Sequence, residues 1–307
     1  MKINNFSGII AENECLCNHT TWRIGGVARY LALTSDENDV KRVISYCVEN
    51  EIPYCVIGNG SNVLFPDEGF DGVVIKTSNG LKQKVPLLFD KESVISYFGA
   101  GNKVGEILNF SIRYGLSGLE FLAGIPATFG GLLKMNGGAF NNEIKDLIEW
   151  VNIFSLRDGF VTKNKNELIF HYRMLELPDD CVILGGAVRL KKDSPQSVQK
   201  KISDNHTKKR ESQPINLPTC GSVFKNPQGE FAGRIIDELG LKGLQVGGAR
   251  ISEKHANFIV NTGRATAKDV LTLIEMVKQK VWLKRRLILE EEVVIINKNK
   301  GLKASVL

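Results

Sequence analysis

The sequence predicts a mixed α+β protein, and three observations carry that expectation. Residues 29–77 alternate strand and helix signals, a late amphipathic stretch is followed by a strand, and glycines cluster where one element gives way to the next. Of the 307 residues, 43% are hydrophobic and 24% charged, a balance that supports a buried core and excludes a disordered chain. That length suits one large domain or two to three small ones.

The first unit opens with "RYLAL" as a strand. Ser35 is placed to cap a helix along which Val40, Val43, Ile44, Cys47 and Val48 repeat at helical spacing, and Pro53 ends it. "YCVIG" and "GVVIKT" read as buried strands, with "GNGSN" (58–62) directly after the first of the two. A second region starts with the strand "SVISYFGAG" and a helix from Lys103 to Tyr114, then continues through the strands "EWVNIFSL" and "CVILGGAVRL". The polar, basic stretch from Lys191 to Pro214 reads as a linker with a helix. In the third region Thr266 caps the last helix, Asp269 sits three residues on, and Val270, Leu271, Ile274, Val277 and Val281 form one apolar stripe. "EEEVVIIN" closes the region as a strand. The expected divisions are 1–80, 81–204 and 205–297, with a tail at 298–307.

Composition narrows the function classes. No apolar run reaches the ~18–20 residues that span a bilayer. The opening "MKINNFSGIIAENECLCNHT" has one lysine and only short apolar stretches, unlike a secretory leader, so a cytoplasmic protein without a membrane partner is expected. The six cysteines contain no CxxC pair and the four histidines are scattered, which points to reduced thiols and no metal site. Net charge is +6, with basic runs at Lys208–Arg210, Lys278–Arg286 and Lys298–Lys303. These runs suit a solvated surface, a nucleic-acid surface or a small polyanionic ligand. No helix-turn-helix, zinc-finger or RNP signature accompanies them, so no nucleic-acid partner is expected.

Glycine is the outlier, at 30 of 307 residues, clustered at 25–26, 58–60, 99–101, 130–131 and 137–138. "FLAGIPATFGGLLKMNGGAF" (121–140) sets five glycines among large apolar side chains, a pattern unlike either a linker or an ordinary helix. Glycine lets backbone approach a ligand closely and lets successive N–H groups converge on an anion. Any one cluster is also a tight turn; several together suggest a long phosphorylated ligand held by main chain. "GAGNKVG" (99–105) follows a strand and opens a helix, but its GxGxxxG spacing misses the dinucleotide fingerprint, and no acidic ribose partner follows. There is no GxxxxGK[ST] loop and no GxSxG elbow.

A set of longer blocks carries more: "NHTTWRIGG", "IGNGSNVLF", "GLSGLEFLAGIPATFGGLLKMNGGAF", "FHYR", "GSVFKNPQGEFAGRIIDELGLKG", "GGARISEKHANFIVN" and "LEEEV". In these blocks, from about Asn18 to Asn297, the chain resembles the UDP-N-acetylenolpyruvoylglucosamine reductase (UDP-N-acetylmuramate dehydrogenase) family, in its shorter subtype without a mobile tyrosine loop. The resemblance implies a vanillyl-alcohol-oxidase-type FAD-binding fold in two subdomains, 1–80 and 81–204, with a C-terminal α+β substrate-binding domain. It implies FAD contacts at Arg23, Ile24, Gly25, Gly58, Gly60, Ser61 and Asn62, then Gly124, Ile125, Pro126, Thr128, Gly131 and Asn136. A monomer is expected.

The same resemblance implies Arg173 of "FHYR", Ser222 of "GSVFKNP" and Glu292 of "LEEEV" as catalytic residues. Tyr172, Lys225 and Asn226 are the implied substrate contacts, with Gln245 a weaker candidate. The implied reaction is NADPH-dependent reduction of UDP-N-acetylglucosamine enolpyruvate, hydride passing to FAD and from flavin N5 to the enolpyruvyl group. Arg173 and Glu292 would stabilise the enediolate and Ser222 would supply the proton. Nothing in their spacing groups these residues, which lie 49 and 70 positions apart. Ala127, Cys220 and Arg286 depart from the family pattern, standing where glycine, alanine and glycine are common.

Overall fold

A computed structural model describes residues 1–297, whose strands fall into several sheets; the basic run at 298–303 and the expected tail lie outside the described residues. The first part is built from β1 (Ile9–Cys15), β2 (Val27–Leu33), α1 (Glu37–Glu49), β3 (Tyr54–Ile57), the short β4 (Val63–Leu64) and β5 (Phe70–Lys76). Its sheet runs β1-β2-β5-β3, with β5 parallel to both β2 and β3 and β1 antiparallel to β2. Alternation puts Tyr54, Val56, Val73 and Ile75 on the face beneath α1 and Cys55, Ile57, Phe70 and Val74 on the other. The α1 cap is Asp36 and not the expected Ser35: the Asp36 carboxylate accepts the Asp39 N–H at 2.8 Å, while Ser35 donates its own N–H to the Asp39 side chain. Val48 lies beyond the edge of the apolar stripe and is exposed, whereas Val40, Val43, Ile44 and Cys47 are buried as expected.

The second part is an antiparallel sheet. It begins with β6 (Lys84–Phe89), β7 (Ser93–Gly99), α2 (Val104–Tyr114), the two-residue β8 (Leu116–Ser117) and the one-and-a-half-turn α3 (Phe129–Lys134). A short pair, β9 (Gly138–Ala139) and β10 (Asn142–Glu143), leads to β11 (Ile148–Ser155) and β12 (Gly159–Asn164). Next comes a hairpin of β13 (Ile169–His171) and β14 (Met174–Glu176), then the long β15 (Val182–Lys192). The sheet order is β12-β11-β15-β7-β6. Its core, including Phe98, Phe110, Phe129, Val151 and Val188, is continuous with the face of the first sheet that α1 covers, so the expected division at 80/81 separates two sheets with one shared core.

The expected linker is an unbroken helix, α4 (Pro195–Ser212), with Ser194 as N-cap and Pro195 in the first turn. The division at 204/205 therefore falls inside this helix. The third part holds α5 (Ala232–Glu238), a three-stranded sheet of β16 (Gln245–Val246), β17 (Ala249–Ile251) and β18 (Ile259–Asn261), α6 (Ala267–Arg285) and β19 (Val294–Ile295). The α6 capping box of Thr266 and Asp269 forms as expected. Leu273, not Leu271, completes its buried face, because Leu271 is only half-buried. "EEEVVIIN" is not one strand. Residues 290–292 pair through their backbones with Val223 and Lys225, and the chain then changes partner so that only Val294 and Ile295 run parallel to β4.

Trp22, Ile24 and Leu64 of the first part are buried in the core of the third. Trp22 donates its indole N–H to Ile259 O at 2.9 Å, and Asn261 returns a bond from its amide to Trp22 O at 3.0 Å. Asp67 accepts the N–H groups of Ala267 and Lys268 at 2.7 and 3.0 Å, closing the start of α6 from outside. Among the described residues no helix is long and apolar enough to cross a membrane.

Candidate active site

All three parts contribute to one cleft of about 1380 Å³. Arg23, Ser61, Asn62, Gly124, Ile125, Pro126, Thr128 and Gly131 line it, as do Tyr172, Arg173, Ser222, Asn226 and Glu292. Sequence positions without common spacing thus meet on one surface.

Arg173 is carried on the β13–β14 hairpin. His171 pairs with Met174, so Tyr172 and Arg173 form a two-residue loop, and Arg173 sits in the left-handed region at φ 60°. Its guanidinium lies 4.9 Å from the Tyr172 ring centroid. Asn136, fully buried, donates to His171 O at 3.0 Å and fixes the hairpin against the end of α3.

Glu292 reaches Arg173 from the other side: Oε1 is 3.0 Å from Nε, with both side chains largely buried. The Nε–H is not aimed at that oxygen, so the contact is a close approach without a directed hydrogen bond, and Nε is left buried without an acceptor. Burial raises the Glu292 carboxyl above the usual carboxylate range, against the opposing pull of Arg173 and, more weakly, Lys225. Ser222 is placed beside Glu292 by backbone pairing, since Glu292 donates its N–H to Val223 O at 2.8 Å. Asn62 donates its side-chain amide N–H to the Glu292 backbone O at 3.0 Å, joining a glycine loop to the main chain of this residue. Cys220, two residues before Ser222, is buried, and burial first and the charge of Glu292 second push its thiol up, so it stays protonated.

Two glycines expected at the cofactor are required by protein packing. A Cβ at Gly58 would lie 2.1 Å from Thr128 Oγ1, and one at Gly60, which has φ 64°, would lie 2.2 Å from His19 O. Gly131 differs: a Cβ there would meet only Thr128 Oγ1, at 3.6 Å, so space stands open in front of it. Beside it, the backbone N–H groups of residues 59–62 donate to no acceptor among the described residues. Asn59, Ser61 and Asn62 line the cleft, and successive free donors of this kind suit anionic oxygens. Ile24, Gly25 and Asn136 do not line the cleft: Ile24 packs in the third core, Gly25 against Phe65 and Leu16, and Asn136 under the hairpin. Ala127 joins the cleft wall and accepts the Val104 N–H at 3.0 Å.

Of the implied substrate contacts, Asn226 lines the cleft while its Oδ1 accepts the Ala232 N–H at the start of α5. Lys225 pairs with Glu290 at 3.2 Å and is not part of the cleft wall. Gln245 is exposed and bonded to its own turn at Gly247 O. Lys209 carries no sequence signal that sets it apart from a solvated basic run. Lys208 and Arg210 are exposed, but Lys209 points the other way into the cleft wall and is 4% exposed. Burial, with Arg173 nearby, pushes its ammonium down to about 8.

Comparisons with known proteins bear on the family and the fold. Residues 28–163 match an FAD binding domain family, and residues 213–296 match the UDP-N-acetylenolpyruvoylglucosamine reductase C-terminal domain. The chain is 37% identical over 299 residues to the UDP-N-acetylenolpyruvoylglucosamine reductase of Heliobacterium modesticaldum, covering 97% of this chain and 94% of that one. It is 40% identical over 291 residues to the enzyme of that name from Halalkalibacterium halodurans, covering 94% and 95%. The crystal structure of the UDP-N-acetylenolpyruvylglucosamine reductase of Thermus caldophilus superimposes with a TM-score of 0.79 at 36% identity, covering 95% of this chain and all of that one. The fold class is the expected one, an α+β FAD-binding fold with a C-terminal α+β region.

Proposed function

The chain belongs to the UDP-N-acetylenolpyruvoylglucosamine reductase family, and on that premise we propose how its cleft works. The protein is an FAD-dependent oxidoreductase that uses NADPH to reduce UDP-N-acetylglucosamine enolpyruvate in peptidoglycan precursor synthesis. Bound FAD would relay hydride from NADPH to the enolpyruvyl group. The open space at Gly131, the donors of residues 59–62 and the apolar Ile125 and Pro126 suit a ligand with a pyrophosphate at one end and a flat ring at the other.

The remaining chemistry falls to three side chains. As the vinyl carbon is reduced, negative charge builds on its neighbour and spreads into the attached carboxylate. Arg173 is cationic at any working pH and meets that charge directly. Glu292, held toward its neutral form by burial, presents an O–H donor where a carboxylate would repel. Ser222 gives its hydroxyl proton to the carbanion carbon; an alcohol is a weak acid, and an enediolate carbon is basic enough to take the proton. The observation that carries this reading is the Arg173–Glu292 contact at 3.0 Å, beside Ser222 on one wall of the cleft.

Stopped-flow spectroscopy of Ser222→Ala separates the half-reactions. Reduction of FAD by NADPH should keep its wild-type rate, while reoxidation by the enolpyruvyl sugar should slow by about 10²–10⁴-fold. Equal slowing of both halves would remove Ser222 from the proton-donor role.

A further inference from the structure

Lys209 sits in the last turn of α4 with its stem along the backbone at Gly124; a Cβ on that glycine would meet its Cδ at 3.3 Å. The ammonium lies 5.8 Å from the Phe140 ring centroid. Among the described residues it makes no hydrogen bond and no ion pair, although it is 4% exposed and borders the cleft. A buried cation is ordinarily paired. The charged group that acts on it is Arg173, which has the same sign.

Arg173 is itself only partly neutralised. Its one acidic partner among the described residues is Glu292, whose surroundings favour the uncharged form, and its Nε has no acceptor. Once Glu292 holds its proton, two cations border one pocket with no counter-charge of their own. We propose that Lys209 and Arg173 together seat the carboxylate of the enolpyruvyl group, with Lys209 the second cation of that seat. The proposal rests on the reductase function described above. It gives the pocket its missing anion, and it places Lys209 where charge spreading from the reacting carbon arrives. The substrate's diphosphate and the flavin's carbonyl oxygens are the other acceptors that could approach an ammonium here, and both are distinguishable by experiment.

The test compares two ligands on FAD-loaded protein, read from the flavin absorption spectrum. UDP-N-acetylglucosamine carries the diphosphate without the carboxylate; the enolpyruvyl sugar carries both. In Lys209→Met the enolpyruvyl sugar should bind about 10–100-fold more weakly, as expected for a lost charge-assisted contact, with UDP-N-acetylglucosamine unchanged. Lys209→Gln should behave alike and guards against a packing fault peculiar to methionine. Neither variant should melt below the wild type, because each removes a buried charge that has no partner. Equal weakening of both ligands would move Lys209 to the diphosphate and overturn the inference. Unchanged binding of both with looser FAD would move it to the flavin and overturn the inference equally. If wild-type protein with NADPH-reduced flavin is not reoxidised by the enolpyruvyl sugar, the reductase reading itself fails, and that is seen before any variant is made.

Discussion

Burial and a neighbouring cation pull Glu292 in opposite directions, and burial prevails. A carboxyl whose folded pKa lies above its unfolded value contributes stability that is complete below the unfolded pKa and is lost as pH rises through the folded one. Glu292→Gln removes that loss. The melting temperature of the variant relative to wild type, followed by calorimetry from about pH 4 to about pH 8, should therefore shift in the variant's favour as pH rises. A constant or opposite difference would mean that Glu292 is ionised in the resting protein and would weaken its role as a donor. Cys220, two residues before Ser222, is a small buried packing residue whose thiol is kept protonated by burial.

The β13–β14 hairpin shows how an element presents a side chain at a cost. Arg173 adopts a left-handed conformation in a two-residue loop, which disfavours any residue with a Cβ. Arg173→Gly and Arg173→Ala both remove the guanidinium, so both should abolish rapid reoxidation. In urea unfolding the glycine variant should nonetheless be the more stable by about 1 kcal/mol, because only alanine meets the left-handed penalty. Equal stability would contradict the backbone geometry. Arg286 tells a related story: it stands where glycine is common in the family and occupies the left-handed C-cap of α6 at φ 54°. The helices and long strands were legible from periodicity. The hairpin turn was not, since "HYRM" carries none of the Asn-Gly or Gly-X signals that mark such loops. Nor was the partner change in "EEEVVIIN", which is set by Val223 and β4, segments far off in sequence.

At the scale of the molecule the cleft depends on ties between the first and third parts: the Trp22–Ile259 and Asn261–Trp22 bonds, the β4–β19 pairing and the Asp67 cap on α6. Asp67→Ala should cost about 1–2 kcal/mol in urea unfolding, since it leaves two helix-start donors without their acceptor; a loss below a few tenths of a kcal/mol would show that solvent replaces the carboxylate. Residue types and spacing alone lead as far as an α+β protein gripping a nucleotide-like anion by main chain. They do not show that Gly58 and Gly60 are also demanded by Thr128 and His19, contacts that only folding reveals. They pass over Lys209, because a lysine inside "KKRES" looks solvated until the helix phase turns it inward. The three positions proposed as catalytic come from long ordered blocks of family resemblance, and the fold brings them to one cleft.

The central claim is most directly tested by an anaerobic visible spectrum of the purified protein, first with NADPH and then with the enolpyruvyl sugar. The protein should be yellow, bleach on NADPH and recover its colour on the sugar, so that both half-reactions are seen in one cuvette. Flavin that bleaches and stays bleached would contradict the substrate assignment, and a protein that neither contains nor binds FAD would contradict the account from the glycine loops upward.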